Sequence, residues 1–105
     1  MEAKYLETQD KVSGYVADFM NGIFEEDDET KVNAVTDDIT KKMKEEFALT
    51  IEQEAMVKLT LFNIDITTTW LPEDDLQQKY VRMQTVIITR IVMGDWDALL
   101  GFTQH

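Results

Sequence analysis

Hydrophobic residues recur along this chain at helical spacing. Tyr5, Val12, Val16, Phe19 and Ile23 share one side of a helical wheel, with Lys4, Glu7, Lys11 and Asp18 largely elsewhere, which predicts an amphipathic helix over about residues 3–21. Asn21-Gly22 reads as its stop, since glycine takes the left-handed C′ conformation cheaply and Ile23 can then fold back onto the last turn. A second set, Val32, Val35, Ile39, Met43 and Phe47, is spaced 3, 4, 4 and 4 and predicts a second helix. On its outer side Asp37 and Asp38 stand four residues before Lys41 and Lys42, in the favoured acid-first order.

Thr50 with Gln53 forms a capping-box pattern, and Ile51, Ala55, Leu59, Phe62, Ile66 and Trp70 follow at spacings of 4, 4, 3, 4 and 4. They predict a third helix whose buried face is that stripe. Pro72 suits a first helical position, and Glu73, Asp74 and Asp75 fill the following turn, where the helix dipole favours negative charge. Leu76, Tyr80, Met83, Ile87 and Ile91 carry the fourth helix to Gly94, after which Asp95 can cap a short turn from Trp96 to Leu100. The segments Asn63–Thr69 and Thr85–Val92 are dense in β-branched residues, so the competing reading is an α+β fold with a hairpin from residues 57–70 and 80–93. Capping, proline placement and apolar spacing agree on helices in both places. The expected fold is therefore all-α: one acidic four-helix bundle-like domain over residues 1–105, with a short C-terminal helical turn packed by Trp96, Leu99 and Leu100. Trp70 is expected to pack at a helix end with its N–H hydrated. Tyr80, Val81, Met83, Val86, Ile87, Ile88, Ile91 and Val92 surround most of the fourth wheel, so that helix is expected either to be central or to offer a homodimer surface through Val86, Ile88 and Val92.

Charge changes the picture of partners. The chain has 21 acidic and 10 basic residues, a net charge of -11 and a pI of about 4.3, so its field repels phosphate backbones and anionic lipid headgroups. Direct binding to nucleic acid or membrane is not expected. No apolar run reaches membrane-spanning length, and the N-terminus lacks the basic start and apolar centre of a signal peptide. Together with the absence of cysteine this reads as a cytoplasmic protein.

The candidate chemistry is thin. The single histidine is His105, the last residue, and the single serine, Ser13, sits in the first helix, so one chain cannot assemble a Ser-His-Asp triad. An EF-hand loop begun at Asp27 would place Val32 where the turn glycine belongs. Glu7 with Asp10 and Glu26 with Glu29 have the E-x-x-D and E-x-x-E spacing by which small all-α NTP pyrophosphohydrolases hold Mg²⁺, which supports a subsidiary enzyme reading. No converging ligands from a second helix accompany them, so no metal or cofactor is expected. The run Glu25, Glu26, Asp27, Asp28 and Glu29, with Asp37 and Asp38, is the candidate surface for a partner protein bearing basic residues. The leading functional expectation is thus a small acidic module that binds and modulates another protein, as an adaptor, inhibitor or immunity protein. A nucleic-acid-mimicking inhibitor, phage or mobile-element encoded, is the alternative.

Overall fold

The computed structural model describes residues 2–24, 29–71 and 75–95. They form four helices, α1 (Glu2–Phe24), α2 (Glu29–Phe47), α3 (Ile51–Trp70) and α4 (Asp75–Met93), with no strand among the described residues. The β-branched segments are helical, and no helix is long and apolar enough to cross a membrane among the described residues. The predicted turn from Trp96 to Leu100 lies outside the described residues.

Each helix packs against the next, α4 closes the ring against α1, and α1 also meets α3 across the diagonal. Side-chain pairs fix the directions. Glu46 near the end of α2 meets Lys11 and Tyr15 of α1, Lys44 at the end of α2 meets Glu54 at the start of α3, and Arg90 near the end of α4 lies over the Tyr5 ring at the start of α1. Neighbours therefore run antiparallel, an up-down-up-down bundle. The fourth helix takes a corner of this ring; it is not central.

The core follows the expected stripes of α1 and α2: Val12, Val16, Phe19 and Ile23 on one, Ile39 and Met43 on the other, all buried. Val32, Val35 and Phe47 are partly buried against them. On α3 the expectation is overturned. The buried residues are Val57, Thr60, Leu61 and Ile64, while Ile51, Leu59, Ile66 and Trp70 are exposed. On α4, Ile88 and Ile91 are buried beside Gln77, Gln84, Thr85 and Thr89, whereas Leu76 and Met83 face outward.

The reason lies in how the buried polar groups are satisfied. Thr36, Thr40, Thr60, Thr85 and Thr89 each donate a hydroxyl hydrogen bond, 2.7 to 2.9 Å long, to the carbonyl four residues earlier. No buried side-chain nitrogen or oxygen among the described residues lacks a partner. Satisfied in this way, a threonine presents only its β-branched surface to the core. Two glutamines close the α3–α4 pair at opposite ends. Gln53 in the first turn of α3 accepts from the Thr50 N–H at 2.8 Å, completing the predicted capping box, and its amide donates to the Ile91 carbonyl of α4 at 2.9 Å. Gln77 in the first turn of α4 donates to the Thr68 and Leu71 carbonyls at the end of α3, at 3.3 and 3.2 Å.

Among the described residues the helix ends differ from expectation at one point; Pro72, Glu73 and Asp74, expected to open the fourth helix, lie outside them. Gly22 does not terminate α1, which runs on to Phe24; it is instead the place where α2 comes closest, since a Cβ there would sit 2.8 Å from Val35 Cγ1. Gly94, with φ of 72°, does end α4, and its N–H donates to the Ile91 carbonyl. Ala48 ends α2 in the same left-handed region at φ of 54°, and the Leu49 N–H closes back on the Lys44 carbonyl.

These two environments predict opposite outcomes for the same substitution. Gly14→Ala on the exposed side of α1, where a Cβ meets nothing within 4 Å, is expected to stabilise the fold by about 0.5–1 kcal/mol through backbone entropy. Gly22→Ala is expected to lose that gain and about 1 kcal/mol more, because Val35 is too stiff to yield. Thermal melting of both variants decides it, and equal midpoints would mean that α1 and α2 separate freely at this point.

Candidate functional site

Of the expected acidic docking surface, only Asp37 and Asp38 have described side chains. Glu25, Glu26, Asp27 and Asp28 lie outside the described residues, and Glu29 begins α2 without a described side chain. Asp37 and Asp38 are exposed, but each is engaged. Asp38 pairs with Lys42 at 3.2 Å as its spacing predicts, whereas Asp37 pairs across the helix boundary with Lys58 of α3 and not with Lys41. Around them a shallow depression between α2 and α3 interleaves Asp37, Lys41, Lys44, Glu45, Glu54 and Lys58. Alternating signs cancel within a few ångströms, so this face is a solvated ion-pair surface, each exposed pair contributing up to about 1 kcal/mol.

The acid pairs at i,i+3 are likewise not brought to a common centre. Glu7 and Asp10 are exposed on α1, with Glu7 beside Lys11 at 4.0 Å, and Glu26 is outside the described residues. Among the described residues no group of three or more histidine, cysteine or acidic side chains is arranged to hold a metal ion. A cleft of about 370 Å³ near the start of α1 and the ends of α2 and α4 is lined by Lys4, Thr8, Phe47, Val92 and Met93. Thr8 donates its hydroxyl to the Lys4 carbonyl at 2.8 Å, and no acidic side chain is among the described residues that line this cleft.

Of the residues expected at an oligomer surface, Ile88 is fully buried in the core, Val92 packs partly buried against it, and Val86 is half-buried. They form no common exposed face. An exposed apolar surface exists elsewhere, on α3. Ile51 is 80% exposed, Leu59 58%, Ile66 56% and Trp70 81%; Ala55 is exposed and Phe62 half-buried. At about 3.6 residues per turn these six align on the side of α3 opposite Val57, Leu61 and Ile64. The helix is thus apolar on two faces, one turned to the core and one to the outside. Trp70, expected to pack at a helix end, is instead the most exposed large side chain of the stripe. Single apolar residues on a surface are ordinary; here several are aligned along one helix. The sequence signal was the second periodic set on the same helix, Val57, Leu61 and Ile64, partly hidden by the threonines around it.

The chain matches no protein-family model, no curated protein and no solved structure.

One polar cluster has a distinct electrostatic character. The Tyr15 hydroxyl donates a hydrogen bond to Glu46, which Lys11 approaches at 3.4 Å, while the Tyr15 ring stands edge-on to Phe47 with centroids 6.1 Å apart. The phenol is pushed up to about 12, first by that hydrogen bond, then by burial and by the charges of Glu46, Asp18 and Glu45. Glu46 is held below the usual carboxylate range, chiefly by the same hydrogen bond and also by Lys11. For the phenol, folding raises the pKa, so its contribution to stability is whole below about pH 10 and is lost as pH rises toward about 12. For Glu46 folding lowers the pKa, so its contribution is present at neutral pH and is lost as pH falls through the carboxylate range. An ultraviolet absorbance titration should show one of the three tyrosines ionising late, near pH 12, and that late step should vanish in Tyr15→Phe. A late step that persists in Tyr15→Phe would contradict this arrangement.

Proposed function

We propose that this protein is a non-catalytic protein-binding module of the cytoplasm whose docking surface is the outer face of α3. The observation that supports this reading is the apolar stripe from Ile51 to Trp70 on the side of the helix turned away from the core. Burying it elsewhere is the only way its apolar area contributes favourably, and an exposed tryptophan at its end has the character of an anchor residue. The rest of the surface suits such a role. Interleaved charges on α2 and the facing side of α3 keep the fold soluble, and the surplus of acids discourages phosphate and lipid surfaces as competitors. Placement in the cytoplasm rests on a composition without cysteine.

The test is a paired capture from the native host with the wild-type chain and with Leu59→Glu and Trp70→Ala, both changed at exposed positions. Proteins held through the α3 face should be lost from both variants while circular dichroism and melting temperature stay near wild type. A partner retained by both, or one lost when the acids of α2 are neutralised instead, would move the docking surface off α3.

A further inference from the structure

The proposal that α3 carries the docking surface leaves open what covers it, and the spacing of the stripe answers that. We propose that the outer face of α3 is closed by the same face of a second copy, the two helices running antiparallel about a two-fold axis. This inference rests on α3 being a docking face.

The spacing is the first argument. The intervals 4, 4, 3, 4 and 4 between Ile51, Ala55, Leu59, Phe62, Ile66 and Trp70 read the same in both directions. A two-fold contact demands that symmetry, because residue i must meet residue j where j meets i. With the axis at the middle of the stripe, Ile51 lies level with Trp70 of the second copy, Ala55 with Ile66, and Leu59 with Phe62. Ala55 and Ile66 lie nearest the centre line of the stripe, so the smallest side chain stands opposite a branched one.

Charge is the second. Two chains of net charge -11 repel each other over most of their surfaces, so a self-contact must be built where that charge is missing. The first turn of the stripe carries Glu52 and Glu54, the latter paired with Lys44 of its own chain; from Ala55 to Trp70 the only charged residues are Lys58 and Asp65, one of each sign. Seven residues apart, they lie on the same flank of the helix, and in an antiparallel pair like flanks adjoin. Lys58 of one copy is then within two residues, about 3 Å of helical rise, of being level with Asp65 of the other. Lys58 already pairs with Asp37 of its own chain, so it can bridge the two.

Area is the third. Taking about 150–250 Å² for a large side chain, the exposed parts of Ile51, Leu59, Ile66 and Trp70 amount to roughly 600 Å², below the ~800 Å² per partner of a standard interface and within the range of weaker, reversible association.

The chain has no cysteine, which allows a register-specific test on the full protein. Sedimentation of the wild type from low to high micromolar concentration should show a monomer–dimer equilibrium. Leu59→Glu should raise its dissociation constant by about tenfold or more, with the helical circular dichroism unchanged. Mixing Ala55→Cys with Ile66→Cys under mild oxidation should give a cross-linked heterodimer, because the two positions are level. Ala55→Cys alone should cross-link poorly, its two copies standing about 16 Å apart along the helix, beyond disulfide reach. A wild type that stays monomeric at every concentration overturns the second copy, and so does a dimer that Leu59→Glu leaves intact. A monomer that nonetheless loses a captured partner on Leu59→Glu would overturn only the second copy and leave α3 as the docking face, so the two readings fail separately. Efficient self-cross-linking of Ala55→Cys would overturn the antiparallel register.

Discussion

A threonine that donates its hydroxyl to the carbonyl one turn back is, to its neighbours, a β-branched apolar side chain, and this bundle is built on that disguise. Five such residues line the interior from α2, α3 and α4. Because their polar atoms are satisfied within their own helices, they ask nothing of the facing helix and pack as valines would. The bundle can therefore turn the threonine-bearing face of α3 inward. Once it does, the more hydrophobic face of the same helix has nowhere to go but outside.

That inversion explains where the sequence was legible. Both α1 and α2 have a single apolar face each, so spacing alone identifies Val12, Val16, Phe19, Ile23, Ile39 and Met43 as core. The capping box at Thr50 and the glycine stop at Gly94 were equally readable, since both depend on bonds between residues near in sequence. Helix α3 is not legible in this way because it offers two periodic sets, and the richer one is turned outward. Nothing local distinguishes a face that packs within the domain from a face that packs against something else. Gly22 failed for a related reason: a glycine that ends a helix and a glycine that admits a neighbouring helix look alike until Val35 is placed beside it.

The acids illustrate a second limit. Composition correctly describes the sign of the far field but not its texture. On α2, Lys31, Lys41, Lys42 and Lys44 are set among Glu29, Asp37, Asp38, Glu45 and Glu46, and the fold adds Lys58 and Glu54 from α3. At distances beyond the Debye length of about 8–10 Å the protein is simply anionic; at contact distance the same surface is a mosaic. Around Asp37 and Asp38 the protein supplies its own counterions, Lys58 and Lys42.

The two glutamines that bind α3 to α4 have a consequence for how the domain comes apart. Helix termini ordinarily fray because their last carbonyls and first N–H groups can turn to water at little cost. Here the carbonyls ending each helix are held by an amide from the first turn of the other, at Gln53 and at Gln77. Neither helix can unwind from that end without releasing its neighbour. The pair is therefore a single cooperative unit of opening, a helical hairpin whose amide hydrogens exchange with solvent together.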